Sequence, residues 1–211
     1  MRRLPIYILL DTSGSMRGEP IEAVRTGLQS LLASLNRDPY ALETVHLSII
    51  TFDREARILV PLSELDGFVL PEIKTPETSP TSTGEALQLL IRQYDKEVVK
   101  TTPERKGDWL PFAVVMTDGV PSDTQLYKQM TEELKKYRFA RIIACAAGPA
   151  KTKVVDELRK ISDDVVSLDT MDSNSFKQFW QWVSTAVSQQ SQTTDTVHDL
   201  PPPPEEIKTV I

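Results

Sequence analysis

The 211-residue sequence holds a single cysteine, Cys145, inside the apolar run IIACAAG. One thiol excludes an internal disulfide, and the absence of a CxxC pair excludes a thiolate zinc site. Cys145 reads as a small core residue rather than a nucleophile, and the chain as intracellular or indifferent to redox compartment. No stretch of about 18 apolar residues is present to span a bilayer. The opening MRRLPIYILLDTSGS has two arginines and a short apolar run, as a signal peptide does. The run Ile6–Leu10 is too short, however, and meets Asp11 instead of a small-residue cleavage site. A cytoplasmic location is expected. Lys/Arg blocks are missing too and the formal net charge is −6, which argues against binding a phosphate backbone and suits cations or basic protein surfaces. GxxxxGK followed by Ser or Thr, GxGxxG and GxSxG are all absent. His46 and His198, the two histidines, lie in no triad-like motif. There is no internal repeat.

What is present is ordinary globular composition, 40% hydrophobic and 26% charged, in a length that makes one generous domain. Ile6–Leu10, Val45–Phe52, Ala113–Met116, Ile142–Ala147 and Val165–Leu168 are short, β-branched runs bounded by polar residues, and they read as strands buried on both faces. Arg57–Leu62 follows Val45–Phe52 after the polar turn DREA, which predicts a hairpin. Between the runs, apolar residues recur at helical steps: Ile21 to Leu35, Leu87 to Val98, Leu126 to Leu134, Val154 to Leu158 and Phe176 to Val187. Their aromatic members read as core packing. Alternating strands and helices predict an α/β fold, a doubly wound, mostly parallel central sheet with one antiparallel edge strand and helices on both faces.

Three segments carry the oxygen atoms of interest. In YILLDTSGSM a buried strand runs into Asp11, Thr12, Ser13, Gly14 and Ser15. A capping loop needs only one Ser, Thr or Asp; here Asp11, Ser13 and Ser15 alternate, and Gly14 is expected to let the backbone curl tightly. In a doubly wound sheet the loop after the first strand falls where ligands bind. The segment MTDG puts Asp118 at the end of another buried strand on the same rim, and SPTSTGEAL offers Thr81 and Thr83 just before a helix. Hard divalent cations take oxygen ligands, and magnesium requires near-octahedral geometry while keeping several waters. Two carboxylates and three hydroxyls from three loops meet that requirement.

Together these residues resemble the metal-ion-dependent adhesion site, or MIDAS, of von Willebrand factor A (VWA) domains, a resemblance that covers about residues 4–190. It implies a Rossmann-like VWA fold in which Asp11, Ser13 and Ser15 form the first ligand loop, Thr81 the second, and Asp118 the third, often through water. The implied ion is Mg2+, with Mn2+ or Ca2+ as alternatives. Many members have glycines before that threonine where this chain has Ser79 and Pro80, so Thr83 stays open as the alternative ligand. The openings LPIYILLDTSGSMRGEPIEAV and DPYALETVHLSIITFD, with the ending LPPPPEEIKTVI, are also similar to the TerY-like proteins of bacterial tellurium-resistance clusters. That similarity implies a protein partner, such as a PP2C-type phosphatase or a protein kinase. Relatives with a C-terminal cysteine-rich metal module carry something this chain lacks.

Few negative charges would touch such an ion, leaving it electrophilic toward an outside carboxylate. The expected function is a metal-dependent adaptor that recruits an Asp or Glu of a partner in a tellurium-resistance or phosphosignalling complex, and not an enzyme. A metal-assisted phosphohydrolase or transferase and a metal-independent scaffold are the other readings. A phosphoryl-accepting Asp11 would need a second acid two residues on, where Ser13 stands, and no positioned base is evident. From Ser188 composition turns polar and proline-rich, so residues 1–190 read as the domain and 191–211 as a flexible tail. Pro201, Pro202, Pro203 and Pro204 favour an extended segment that costs little entropy to dock, with Glu205 and Glu206 offering carboxylates.

Overall fold

A computed structural model describes residues 2–148, 152–192, 204 and 208–209. Its centre is β1 (Leu4–Asp11), every residue of which is buried. On one side β1 pairs in parallel with β2 (Val45–Phe52), Ile8 opposite Ile49; on the other it pairs in parallel with β4 (Phe112–Thr117), Ile8 opposite Val114. β3 (Ala56–Glu64) returns antiparallel to β2 through the turn at 53–55, the expected hairpin and edge strand. β5 (Arg141–Ala147) and β6 (Asp164–Leu168) extend the parallel sheet beyond β4. The seventh strand, β7 (Lys208–Thr209), pairs antiparallel with Ser167 and Val166, so the order is β3-β2-β1-β4-β5-β6-β7. Of the segment 191–211, expected as a flexible polar and proline-rich tail, residues 191–192 close α6 and Lys208 and Thr209 pair with β6 at the far edge of the sheet.

Alternation along β1 divides the core into two layers. Leu4, Ile6, Ile8 and Leu10 face α1 (Glu19–Leu35) and α6 (Ser173–Gln192), where Phe176, Phe179 and Trp180 are fully buried. Tyr7 and Leu9 face α3 (Thr83–Glu97), α4 (Thr124–Leu134) and α5 (Thr152–Leu158). Each such large side chain contributes about 2 kcal/mol by leaving water. The periodic stripes therefore mark the faces the helices bury. A short helix without such a stripe, α2 (Pro39–Thr44), forms because Asp38 accepts from the Tyr40 and Ala41 amides and Pro39 presets the first turn. Cys145 is wholly enclosed, and burial pushes its thiol far up from its ordinary value.

The arginines at the start have structural work. Arg3 grips Asp108 through two hydrogen bonds, Nε to Oδ1 at 2.9 Å and Nη2 to Oδ2 at 2.6 Å, while Arg2 lies 3.9 Å from the centre of the Trp109 ring. They fasten the loop before β4 to the end of the sheet where the strands begin. Among the described residues no helix is long and apolar enough to cross a membrane.

Candidate metal centre

β1 is connected toward β2 on one side and bordered by β4 on the other, so the loops leaving β1 and β4 diverge and open a crevice at their carboxyl ends. β1 delivers Asp11 into it, with only 1% of the residue exposed. Its Oδ1 accepts from the Ser13 amide at 2.7 Å, and its Oδ2 accepts from Thr117 Oγ1 at 2.5 Å. Thr117 also accepts from the Gly119 amide at 3.1 Å, fixing the turn that carries Asp118. Ser15 Oγ donates to Asp118 Oδ1 at 2.8 Å, leaving Ser13 Oγ, 3.2 Å away, to donate to Ser15. A continuous chain of oxygens thus joins the first loop to the third. Thr12 is excluded from it: its amide and hydroxyl both donate to the Phe52 carbonyl, at 2.8 and 3.2 Å, and tie the loop to the end of β2.

The second loop is pressed between these two. Gly14 donates to the Ser79 carbonyl at 3.4 Å, and a Cβ on Gly14 would stand 3.1 Å from the Glu77 carbonyl oxygen and from Thr78 Cα. Close approach of the second loop, and not the tight curl expected from the sequence, is what requires glycine: Gly14 is not among the residues in the left-handed region. A Cβ on Gly119 would meet Thr81 Oγ1 at 2.8 Å, so the third loop lies directly on the Thr81 hydroxyl. The Thr81 carbonyl accepts from the Ser122 amide and the Asp53 carbonyl from the Ser82 amide, both at 2.8 Å, pinning the loop between β2 and the segment after β4.

Thr83 does not act as the helix cap its position suggests. It is the first residue of α3, and its buried hydroxyl has no partner among the described residues. The free amides of Gly84 and Glu85 are capped by Asp123, at 3.1 and 2.9 Å, from across the α3–α4 interface. Asp123 directly precedes Thr124 and reads in sequence as a cap of its own helix, yet it makes no such bond there. Sequence reasoning also passed over Thr117, whose place in the quoted MTDG, a hydroxyl at the end of an otherwise apolar strand, was the available signal.

Burial pushes the Asp11 carboxyl up to about 6; the hydrogen bonds from Ser13 and Thr117 oppose that rise, and the neighbouring Asp118 charge adds to it. Among the described residues no three His, Cys, Asp or Glu side chains cluster. The donor set is two carboxylates with the hydroxyls of Ser13, Ser15 and Thr81, and the Thr81 hydroxyl makes no hydrogen bond among the described residues. All are hard oxygens, which fits an alkaline-earth or similarly hard divalent ion better than a thiophilic one. Asp11, Ser13, Ser15 and Asp118 are brought together by direct bonds, and Thr81 by contact with Gly119. Pro201, Pro202, Pro203, Glu205 and Glu206 lie outside the described residues; Pro204 is half-buried.

A family model of the von Willebrand factor type A domain matches residues 6–196. An uncharacterised protein of Synechocystis sp. is 29% identical over 123 residues, 56% of this chain and 26% of that protein. Among solved structures, a mutant of the PilB minor pilin from Streptococcus sanguinis superimposes with a TM-score of 0.70 at 11% identity, over 90% of this chain and 62% of that one. Proximal thread matrix protein 1 from the mussel byssus, with a zinc-occupied MIDAS motif, gives 0.58 at 16% identity over 90% of this chain and 46% of that one. The chain therefore spans about a quarter of the curated relative and less than two thirds of either structural neighbour.

Proposed function

We propose a function from one premise: the chain belongs to the von Willebrand factor type A domain family. In our reading it is a metal-ion-dependent adaptor. Asp11, Ser13, Ser15, Thr81 and Asp118 would hold a divalent cation, Mg2+ first and Mn2+ or Ca2+ as substitutes, at the place where an Asp or Glu of a protein partner docks. When bound, the ion supplies an electrophilic coordination position for that carboxylate. The carrying observation is the hydrogen-bond chain from Asp11 through Ser13 and Ser15 to Asp118, which gathers two carboxylates and neutral hydroxyls from loops about a hundred residues apart. Asp11 fixes the first loop by accepting the Ser13 amide, and Thr117 holds the carboxylate's other oxygen.

An adaptor suits this rim better than an enzyme. His46 stands at the beginning of β2, opposite Pro5, whereas Asp11 is opposite Phe52 at the strand's other end. Six residues of strand put the imidazole ~20 Å from the crevice, out of reach of general-base work there. The similarity to TerY-like proteins supports a cytoplasmic role in a tellurium-resistance or phosphosignalling complex, with a PP2C-type phosphatase or a protein kinase as the partner. The test is capture of such partners by the immobilised chain with Mg2+ and with chelator, beside calorimetric titration of the ion. Partner capture that survives the chelator, or phosphatase activity with Mg2+ or Mn2+, overturns the reading.

A further inference from the structure

The hollow beside Asp118 and Gly119, about 700 Å3, does not end at the candidate metal centre. Val120 and Lys153 line both it and a groove of about 1000 Å3 between α4 and α5. Val120 is 47% exposed, a large apolar side chain left on the rim two residues after Asp118. Pro121 and Tyr127 continue the apolar surface into the groove.

Charge in the groove has a definite sign despite the acidic chain. Its acids are already matched by cations three residues further along the chain, at or just past the ends of α4 and α5: Glu132 by Lys135 at 2.7 Å, Glu157 by Lys160 at 2.7 Å, and Asp156 by Arg159 at 3.8 Å. Lys128 and Lys153 also line the groove and form no ion pair among the described residues. Two uncommitted ammonium groups thus flank an apolar floor that opens onto the oxygen-rich crevice.

We infer that this groove is the second half of the partner site, and that it takes an extended acidic peptide segment of the partner. This rests on the reading of the crevice as an ion-dependent site. One carboxylate of the segment reaches the ion, an apolar side chain covers Val120, and further carboxylates meet Lys153 and then Lys128. The eleven residues of α4 run ~16 Å, which about five extended residues span. The lysines set the direction and the on-rate of docking, and the apolar floor sets the residence time.

The test is selection of random dodecapeptides on the full chain in Mg2+, followed by affinity measurement on Lys128→Glu/Lys153→Glu and on Val120→Asp. Selected peptides should carry an acidic residue followed by apolar and acidic ones. Their affinity should fall at least tenfold in both variants while Mg2+ binding is retained, no weaker than in wild type, since the added carboxylates can only favour a cation. Peptides that require Mg2+ yet bind the variants as tightly as wild type overturn the groove and leave the ion reading standing. Peptides that lose affinity in the variants but ignore chelator overturn the ion reading and leave the groove. If no acidic peptide is selected, the groove proposal fails.

Discussion

Asp108, at the end of the sheet where the strands begin, and Asp11, where β1 ends, are both shut away from solvent, with 5% of the Asp108 side chain and 1% of Asp11 exposed. Asp108 accepts two hydrogen bonds from Arg3 and a third from the Val99 amide at 2.8 Å. The chain has brought it a cation from its own first residues. Asp11 receives an amide and a hydroxyl, forms no ion pair among the described residues, and has another carboxylate for a neighbour. A buried carboxylate with an internal countercharge is a fastening. One that is buried without an internal countercharge, so that burial favours its protonated form against the pull of neutral donors, is suited to a cation from outside.

The largest effect that separates the two is on ion binding. Asp11→Ala should weaken Mg2+ binding at least a hundredfold in calorimetry, with the circular dichroism spectrum of the fold retained, whereas Asp108→Ala should leave affinity as in wild type. Wild-type affinity in Asp11→Ala would overturn the assignment. Because burial holds the Asp11 carboxyl near 6, a proton competes with the ion below that pH, and affinity should fall as the pH drops through it. The contrast reverses for stability. Asp108→Ala strands the Arg3 guanidinium, which is one third exposed, so the loss should sit near the low end for broken buried pairs, about 2–3 kcal/mol or roughly 5–10 °C in melting temperature. Equal melting temperatures for Asp108→Ala and wild type would show the fastening to be idle.

A smaller effect tests the support behind the second loop. Asp123→Ala removes the acceptor for the Gly84 and Glu85 amides and should cost about 1 kcal/mol, read in chemical denaturation. The smallest effects distinguish two threonines. Thr81→Val should weaken Mg2+ binding several-fold. Thr83→Val should leave affinity alone and shift stability by no more than about 0.5 kcal/mol, since a buried hydroxyl with no partner among the described residues is replaced by a methyl. A reversed pattern in titration would move the second-loop ligand to Thr83.

The parallel sheet was legible because strands covered on both faces are written as unbroken apolar runs, as in Ile6–Leu10 and Ala113–Met116, and because each long helix carries a stripe at its own period. Asp11, Ser13, Ser15 and Asp118 stood out because polar residues crowd where such runs stop. What escaped depends on partners remote in sequence or on very short elements. Asp123 serves a helix other than the one it precedes, and nothing local records that. The six residues of α2 are too few to show a stripe, though Asp38 and Pro39 mark its start. Gly14 was legible as a special position but for a different reason, since its neighbour, the 77–79 backbone, comes from more than sixty residues away. β7 rests on two backbone pairings with β6, which no side-chain pattern of that length encodes.

The bonds that assemble the crevice, Ser15 to Asp118 and Thr117 to Asp11, close loops of more than a hundred residues. They can form only after β1 and β4 lie side by side, so the crevice does not exist before that long-range pairing is made. An ion that needs it has nothing to hold during folding. In stopped-flow kinetics, magnesium should therefore leave the refolding rate unchanged and slow unfolding, lengthening the lifetime of the native state without hastening its arrival.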